Sequence, residues 1–357
     1  MSAVTSSKKN YWSNVGYRWA HRNIINDGYL KMKAVWYEKT GEAVQVLEIG
    51  DIDNPTPKKG EVLVRLKTSG LNPSDVKTRA GARGELPYSR IIPHSDGGGI
   101  IIDVGEGVDK ERIGERVWLW NAAYKRHSGT CAELVSLPES QAVNMNERAS
   151  FESAACMGIP ASTAYYGIFS NGSVKGKTIL VSGGAGAVGF YGIQLAKWSG
   201  ANVITTVSSE EKAKVAKDAG ADVVINYQDQ DVVDIVMENT NANGVDRILE
   251  VEFGGNLSIN EKIIKTNGVI AAYGSAAEME PTLPFYNLMF KGIKIDTFLI
   301  YEVRNEDRKK IIKGLTRALN ENALKHLIAQ KFSMDDVVAA HESMESGSVI
   351  GNIVIEI

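Results

Sequence analysis

The pattern of hydrophobic and polar residues divides the chain near residue 150. Upstream of that point, short alternating or apolar runs are separated by Gly and Pro, as at residues 62–66, 99–104 and 116–120, and this pattern predicts β-strands. Strands at such short spacing indicate a barrel-like β domain. From residue 177 onward, strands alternate with amphipathic helices, which predicts a doubly wound α/β domain with a parallel sheet.

The buried strands of a parallel sheet are apolar over their whole length, because helices cover both faces of the sheet. Such segments occur at residues 178–182, 202–207, 222–226, 247–251 and 269–273. Helical periodicity predicts helices at residues 190–198, 211–219, 308–320 and 334–346. A last strand at 352–357 follows the sheet, so we expect it to return to the first domain.

A glycine-rich turn at residues 183–189 connects the predicted strand at 178–182 to the helix at 190–198. In a dinucleotide-binding unit, the first Gly permits a tight turn, the second lets the backbone approach a pyrophosphate, and the third allows close helix packing. The pyrophosphate would face the helix N-terminus. These three roles fall on Gly184, Gly186 and Gly189. We therefore predict cofactor contacts at Gly184, Ala185, Gly186, Ala187, Val188 and Gly189.

The residues after the second strand of this unit indicate which nicotinamide cofactor binds. An NAD-preferring domain places Asp or Glu there to hold the ribose 2′-hydroxyl, but this chain has Ser208 and Ser209. The two hydroxyls and Lys212 would instead bind a 2′-phosphate, which predicts NADPH. Ser208 and Glu211 also match a capping box for the next helix, and Glu210 or Glu211 turned inward would favour NAD.

The composition narrows the functional classes. The net charge is −3, with 43% hydrophobic and 23% charged residues, so overall charge would attract neither nucleic acid nor an anionic membrane. No apolar run reaches about 18 residues, the length that would span a membrane. Two cysteines, Cys131 and Cys156, make neither a zinc lobe nor a disulfide framework and fit a reducing compartment, so we expect a cytoplasmic protein.

We divide the chain into four segments, because 357 residues exceed the size of an ordinary single core. An extension covers residues 1–31, a β-rich domain covers 32–155, a dinucleotide-binding domain covers 156–299, and residues 300–357 return to the β-rich domain. The extension carries five basic residues and one acid, and it lacks the continuous apolar core of a secretory signal. It fits either an organelle transit peptide or an arm that packs on the body.

Four further motifs accompany the glycine turn. They are SGLNPSD at 69–75, PHSDGGG at 93–99, GTCAE at 129–133 and GIPASTAY at 158–165. In this order they resemble the medium-chain dehydrogenase/reductase superfamily, and within it the zinc-free, zeta-crystallin-like quinone oxidoreductase branch. The resemblance runs from residue 32 to the end. It implies a GroES-like β-rich catalytic domain, a Rossmann domain, and a homodimer in which a strand within 292–302 pairs with its copy.

The resemblance also indicates that the zinc ligands of related enzymes are replaced in this chain. Those ligands would lie at the positions of Asn72, of Ser95 with Asp96, and of Ile159, and only Asp96 can bind a metal there. A catalytic zinc site needs three such ligands and an open position, so we expect no metal. His94 is one position away and has no cysteine or second histidine near it in the sequence.

At the reacting end, the resemblance places Asn72 beside the nicotinamide, where its amide would donate a hydrogen bond to a substrate oxygen. Lys77 stands where related quinone reductases often have Tyr, and we name it with Asn72 as a catalytic candidate. With Arg79, Arg83 and Arg90, it would form a basic mouth for an acidic acceptor, unless these side chains are solvated surface.

Other contacts follow from the resemblance and from the ends of the predicted strands, where such sheets bind ligands. They are Thr163 near the nicotinamide, Tyr227 with Lys212 at the 2′-phosphate, and Phe253, Gly274 and Ser275 at strand ends. A loop with Tyr124, Lys125 and His127 would border the pocket, although His127 fits a surface position better.

These features support three hypotheses. NADPH-dependent reduction of a quinone, and NADPH-dependent reduction of an enone or enoyl C=C bond, both need little Lewis-acid help and would both use Asn72. The third, of another class, is a non-catalytic, NADPH-binding crystallin-like or RNA-binding protein, although the sequence has no aromatic platform of an RNA module. We favour an enzyme, because motifs of the site accompany those of the fold.

Overall fold

Three β-sheets organise residues 31–357, the part of the chain that this computed structural model describes. A two-stranded sheet and a seven-stranded sheet contain the strands upstream of residue 150 together with the last two strands, and a six-stranded sheet contains the others. The predicted extension lies outside the described residues except for Lys31, which begins the first strand. Within residues 31–357, no helix has the length and apolar character needed to cross a membrane.

The first half of the described chain consists mainly of short strands. The strands are β1 (Lys31–Trp36), β2 (Glu48–Asp53), β3 (Glu61–Leu71), β4 (Asp96–Val104), β5 (Arg116–Leu119), β6 (Leu134–Pro138) and β7 (Ala142–Asn144). The helices are α1 (Ala43–Val46), α2 (Pro73–Arg79) and α3 (Phe151–Ala154), with 3₁₀ turns at Lys110–Arg112 and Glu139–Gln141. The predicted β-rich character of this half is confirmed.

Strands and helices alternate in the second half. The strands are β8 (Thr178–Val181), β9 (Asn202–Val207), β10 (Val223–Asn226), β11 (Val245–Glu250), β12 (Ile264–Ala272), β13 (Lys294–Thr297), β14 (Ile328–Ser333) and β15 (Asn352–Glu356). The helices are α4 (Ser162–Phe169), α5 (Ala187–Trp198), α6 (Glu210–Asp218), α7 (Val232–Asn239), α8 (Phe253–Ile263), α9 (Phe285–Lys291), α10 (Asn305–Asn320) and α11 (Val337–Glu345). A π-helix at Met157–Ala161 precedes α4, and 3₁₀ turns lie at Ile300–Glu302 and Met334–Asp336.

The six-stranded sheet is parallel and covered on both faces. Its order is β10, β9, β8, β11, β12, β13, and every neighbouring pair runs parallel. Val181 and Val203 pack with α5 and α6, whereas their neighbours Leu180 and Ile204 pack with α7 and α8. Because successive side chains of a strand point to opposite faces, helices cover both faces, and the predicted doubly wound fold is confirmed.

The last strand, β15, joins the seven-stranded sheet of the first half. It pairs antiparallel with β3, with Ile353 opposite Leu71 and Ile355 opposite Ser69, and it pairs parallel with β14. Since β3 ends one residue before Asn72, the returning strand supports the segment that carries the predicted hydrogen-bond donor.

Some elements begin earlier than predicted. Strand β12 begins at Ile264 rather than at 269, because Ile264 pairs with Val245 before an irregularity in the register. Helix α5 begins at Ala187, inside the glycine turn, and α10 begins at Asn305 rather than at 308.

Candidate functional site

The glycine-rich turn follows β8, which lies inside the parallel sheet. Gly183 has a φ of 70°, in the left-handed region, and its N–H donates to Thr206 Oγ1. A Cβ at Gly184 would lie 2.1 Å from Thr205 Oγ1. Gly183, rather than Gly184 as predicted, therefore makes the tight turn, while Gly184 allows close packing against β9.

The N-terminus of α5 fits a bound pyrophosphate. Its N-cap is Gly186, which has no side chain to occupy the helix end, and its first turn contains no acidic residue. Phe190 N–H donates to Gly186 O, so the N–H groups of the residues between them point toward an anion at the helix end. A Cβ at Gly186 would meet only Gly183 O, at 3.3 Å, whereas one at Gly189 would lie 2.2 Å from that oxygen. Gly186 thus leaves room for a ligand, and Gly189 packs the helix against the turn.

The residues predicted to select the cofactor lie together at the carboxyl ends of β9 and β10. Lys212 Nζ donates to Ser208 Oγ at 2.9 Å. Tyr227 is half exposed, and its N–H donates to Val207 O beside Ser208. Ser209, rather than Ser208, caps α6 by accepting from Lys212 N, so the predicted capping box is wrong.

Glu210 and Glu211 are both exposed in the first turn of α6. Neither carboxylate is buried against the strand end, where an NAD-preferring domain holds the ribose 2′-hydroxyl. The charged group in contact with Ser208 is the Lys212 ammonium instead. This arrangement suits a 2′-phosphate.

The loops after β11 and β12 are joined to each other. Phe253 N donates to Gly274 O at 2.9 Å, and Gly254 N donates to Ser275 Oγ at 2.9 Å. The Phe253 ring is buried in the core with Leu257. The structure thus brings Phe253, Gly274 and Ser275 together at the carboxyl edge of the sheet, with the backbone of Phe253 rather than its ring at the junction.

Glu252, which is not among the predicted site residues, also organises these loops. Its carboxylate accepts from Ala276 N at 2.7 Å and from Gly255 N at 3.4 Å. Desolvation raises the pKa of this carboxyl, but hydrogen bonds from the backbone of residues 255 and 276–278 bring it below the ordinary value. The sequence feature that could have identified Glu252 is its position immediately after a predicted strand.

At the reacting end, the three positions that the resemblance assigns to zinc ligands lie in one cluster. Asn72 Nδ2 donates to Asp96 Oδ2 at 2.9 Å, and Ile159 N donates to the same oxygen at 3.0 Å. All three residues are buried, Asp96 completely. Across residues 31–357, no group of three His, Cys, Asp or Glu side chains could hold a metal ion.

Two buried acids flank Asn72. The Asp75 carboxylate accepts from Asn72 N at 2.9 Å and holds the start of α2. Burial raises the pKa of Asp75 to about 7 and raises the pKa of Asp96 well above its ordinary value. Both groups therefore keep a proton at a higher pH than an exposed aspartic acid does.

The four basic residues predicted at the substrate mouth take different positions. Lys77 is exposed on α2, and the Arg83 guanidinium lies 6.0 Å from the centroid of the Tyr301 ring. Arg79 is completely buried and paired with a glutamate of α11, and Arg90 pairs with a glutamate beside β1. A basic mouth made of all four is therefore wrong, because two of them have acidic partners elsewhere. Arg79 is not solvated surface either.

The loop of Tyr124 and Lys125 contacts the 3₁₀ turn at Ile300–Glu302. Both side chains donate to Glu302 Oε1, at 2.6 and 2.5 Å. Tyr124 stacks on Tyr301 with ring centroids 4.6 Å apart, and Tyr301 OH lies 2.8 Å from Ser74 Oγ on α2. Tyr301 thus joins this loop to the helix that follows Asn72. No sequence signal marks it, because the contact with Ser74 joins residues 227 apart.

The two remaining candidates lie apart from each other. Thr163 is buried in the first turn of α4, four residues after Ile159. His127 is exposed, and its Nδ1 lies 2.8 Å from Ser128 Oγ. Thr163 therefore lies on the helix that follows Ile159, whereas His127 is a surface residue.

Each half of the structure matches a different family model. Residues 58–170 match the family model of the alcohol dehydrogenase GroES-like domain, and residues 187–317 match that of the zinc-binding dehydrogenase. The second range begins at α5 and does not include Asn72, Asp96 or Ile159. Fold and matches together define an oxidoreductase built from a GroES-like domain and a Rossmann domain.

Individual relatives are similar to this chain over nearly its whole length. Quinone oxidoreductase of Homo sapiens is 27% identical over 321 residues, which are 87% of this chain and 96% of that protein. A mycobacterial protein solved in complex with NADPH is 28% identical with a TM-score of 0.79, and Pseudomonas syringae quinone oxidoreductase is 26% identical with a TM-score of 0.81. Each of these two structural matches covers 91% of this chain and 100% of the other chain. The fold and the two domain matches place the chain in the medium-chain dehydrogenase/reductase superfamily, and the quinone oxidoreductases of Homo sapiens and Rattus norvegicus resemble it at 27% and 26% identity.

Proposed function

We propose that this chain is an NADPH-dependent, zinc-free oxidoreductase that transfers hydride to a quinone. The observation that carries the proposal is the hydrogen bond from Asn72 to Asp96, which lies where related enzymes bind zinc. An amide donor rather than a Lewis acid then faces the acceptor. The similarity to human quinone oxidoreductase and to the mycobacterial NADPH complex supports the choice of acceptor and cofactor.

The residues around the glycine turn would hold NADPH. The pyrophosphate would bind at Gly184, Ala185, Gly186, Ala187, Val188 and Gly189. The 2′-phosphate would bind at Ser208, Ser209, Lys212 and Tyr227, where Lys212 supplies the positive charge. Thr163, Phe253, Gly274 and Ser275 would border the rest of the cofactor. Bound in this way, NADPH supplies the hydride.

Asn72 would act on the acceptor through its amide. Nδ2 carries two hydrogens: one is donated to Asp96, and the second, which also interacts with the Asp75 carboxyl, would be donated to a carbonyl oxygen of the acceptor. That bond strengthens as negative charge develops on the oxygen, and the buried surroundings of Asn72 strengthen it further. Lys77, exposed on α2, would attract an acidic acceptor to the mouth.

An activated C=C bond is the alternative acceptor. The carbonyl oxygen of an enone or enoyl thioester would accept the same hydrogen bond from Asn72, since this donor recognises only the oxygen. The choice between the two acceptor classes therefore depends on the shape of the pocket.

The test follows NADPH oxidation by absorbance. The panel consists of 1,4-benzoquinone, 9,10-phenanthrenequinone, 2-cyclohexenone, acrolein and a short enoyl thioester, with NADH run in parallel. Turnover of the quinones alone supports the proposal, and turnover of the alkenes alone moves the protein to the enone or enoyl reductases. NADPH binding without any turnover would favour a non-catalytic, crystallin-like or RNA-binding protein.

We also propose a homodimer and a cytoplasmic location. Strand β13 ends the parallel sheet, and its outer edge is unpaired within residues 31–357. Helix α9, just before it, exposes Phe285, Tyr286 and Phe290, a surface that a second copy would cover. Cys131 and Cys156 are both free and buried, which suits a reducing compartment.

A further inference from the structure

Asp96 is connected to both sides of the proposed reaction site. Its Oδ2 accepts from Asn72 Nδ2 at 2.9 Å and from Ile159 N at 3.0 Å. Asn72 precedes α2 on the acceptor side. Ile159 lies in the π-helix that leads into α4, which carries Thr163 on the cofactor side. One carboxylate oxygen therefore links the acceptor side to the cofactor side.

The surroundings of Asp96 hold its side chain in place. A Cβ at Gly158 would lie 2.2 Å from Asp96 Oδ1, and a Cβ at Gly70 would lie 3.0 Å from Asp96 Cβ. Glycine at 158 therefore leaves room for the carboxyl group, and glycine at 70 lets the chain pack closely beside Asp96 and against Ala155 O. Because two N–H groups already bind Oδ2, a proton on this acid would be carried by Oδ1, and Oδ2 accepts in either protonation state.

The contact also decides which end of the Asn72 amide is available to the acceptor. An amide has a donor end and an acceptor end of nearly equal size. Asp96 Oδ2 accepts hydrogen bonds only, so it selects Nδ2, and the second N–H of that nitrogen, which also interacts with the Asp75 carboxyl, is the one that would turn to a substrate oxygen. An inverted amide would place its oxygen where the nitrogen is now, and this donor would be lost.

We infer that Asp96 is a positioning residue of the reaction: it orients the Asn72 amide and, through Ile159, holds it at a set distance from the cofactor side. The inference rests on the proposed role of Asn72 as hydrogen-bond donor. Asp96 itself touches neither acceptor nor cofactor in this arrangement, so its effect passes through Asn72.

Kinetics of single and double variants test this inference. We expect Asp96→Ala to lower kcat by roughly 10–100-fold with an unchanged KM for NADPH, since a displacement of about 1 Å in a catalytic group costs this order of rate. In an Asn72→Ala background, the same substitution should have no further effect on kcat. Asp96→Asn should retain kcat, because its carboxamide oxygen can accept both hydrogen bonds. Independent losses that multiply, or an unchanged kcat in Asp96→Ala or in Asn72→Ala, overturn the inference.

A matched control separates positioning from general destabilisation. Thr68→Val removes a partly buried hydrogen bond to Phe151 O, 2.6 Å long, in the same sheet. We expect it to lower Tm but not kcat. Asp96→Ser replaces the alanine variant if that variant does not fold, because a serine hydroxyl is too short to reach Asn72.

A second readout does not depend on turnover. With ¹⁵N-labelled asparagine, the side-chain NH₂ signals of Asn72 are identified by their absence in Asn72→Ala. We expect slow hydrogen exchange of one of them in the wild type and in Asp96→Asn, and fast exchange in Asp96→Ala. If the signals are the same in Asp96→Ala as in the wild type, the inference fails whatever the activity. If they change as expected while the wild type turns over no acceptor, the proposed function fails, and what stands is that Asp96 orients the Asn72 amide.

Discussion

Lys212 offers a direct test of cofactor preference at the scale of one residue. Its ammonium donates to Ser208 Oγ, and a 2′-phosphate beside it would gain a charge-assisted hydrogen bond. We predict that Lys212→Ala lowers kcat/KM for NADPH by about 10–100-fold, the effect of losing roughly 1.5–3 kcal/mol. The value for NADH should not change, because NADH has only a hydroxyl at that position. Steady-state kinetics with both cofactors measure the effect.

The control for this prediction is Lys214→Ala, which removes the same charge from an exposed position of the same helix. It should leave the ratio of NADPH to NADH activity unchanged. Full NADPH preference in Lys212→Ala would contradict the assignment.

Two glycines of the turn give contrasting predictions. A Cβ at Gly189 would lie 2.2 Å from Gly183 O, so Gly189→Ala should reduce both the free energy of unfolding, by about 1–3 kcal/mol, and NADPH binding. A Cβ at Gly186 would be 3.3 Å from that oxygen and would meet nothing closer, so Gly186→Ala should fold normally and still bind NADPH less tightly. Urea denaturation and fluorescence titration measure the two effects. Unchanged NADPH binding in Gly186→Ala would show that the turn does not contact the cofactor as proposed.

The same turn shows what local sequence can predict at this scale. The spacing of strand, glycines and helix locates the turn, because all of these residues are close together in the chain. The glycine that adopts the left-handed conformation could not be predicted, because it depends on contacts with Thr205 and Thr206 of the neighbouring strand. For the same reason, the sequence names both Ser208 and Ser209 but assigns the cap to the wrong one.

At the scale of elements, two buried histidines join α11 to the segment before β4. His94 Nε2 lies 3.0 Å from His341 Nε2, and His94 Nδ1 lies 2.8 Å from Ser69 Oγ. Burial and then the charge of Arg79 lower the pKa of His341 to about 3. Burial and then His341 lower the pKa of His94 well below its ordinary value. Both rings are therefore neutral in the folded protein, and the contact between the two elements depends on that state.

This contact predicts a loss of stability in acid. Histidine in an unfolded chain has a pKa of about 6.5. Since the pKa of His341 is lower in the folded protein, the contribution of the neutral ring to stability is complete above about pH 6.5 and is lost as the pH falls toward 3. We predict that the wild type loses on the order of 1–3 kcal/mol more than His341→Gln between pH 7 and pH 4.5. Urea denaturation at each pH measures the difference.

The raised pKa of Asp75 makes stability change with pH in the direction opposite to that of His341. The wild type therefore has to be compared with a variant that lacks only His341. Burial raises the pKa of Asp75 to about 7, so its contribution to stability is present at low pH and is lost as the pH rises through 7. Wild type and His341→Gln both contain Asp75, so this contribution cancels in their difference. His127→Gln, at an exposed histidine, controls for the loss of a histidine as such. A wild-type-minus-variant difference that did not change with pH would refute the prediction.

At the scale of the whole molecule, the edge of the parallel sheet is the proposed contact with a second copy. Strand β13 is preceded by α9, on which Phe290 is 77% exposed. A two-fold interface contains every residue twice, so Phe290→Glu would place two like charges in it. We predict that the wild type sediments with about twice the mass of one chain and that Phe290→Glu sediments as a monomer.

Val44→Glu is the matched control for this prediction, because Val44 is exposed on α1 in the other half of the chain. It should leave the mass unchanged. A monomeric wild type, or a dimer that tolerates Phe290→Glu, would rule out this edge as the interface.

The two halves of the molecule also depend on each other around the site. Strand β15, from the end of the chain, supports β3 just before Asn72, and the 3₁₀ turn that carries Tyr301 contacts α2 just after it. Residues from two distant parts of the chain thus support the start of α2. This arrangement explains why no single motif of the sequence describes the acceptor side completely.

The sequence by itself determined the order of the elements, the β-rich and doubly wound halves, the return of the last strand, the glycine turn and the family resemblance. These features follow from hydrophobic periodicity and from motifs whose residues are neighbours in the chain. Only the tertiary structure decided that Asn72 and Ile159, which are 24 and 63 residues from Asp96, share one oxygen of its carboxylate. It also decided that Arg79 is buried and that His94 meets His341 across 247 residues. Such contacts depend on how sheets and helices pack against each other. Local patterns of hydrophobic and polar residues do not specify that packing.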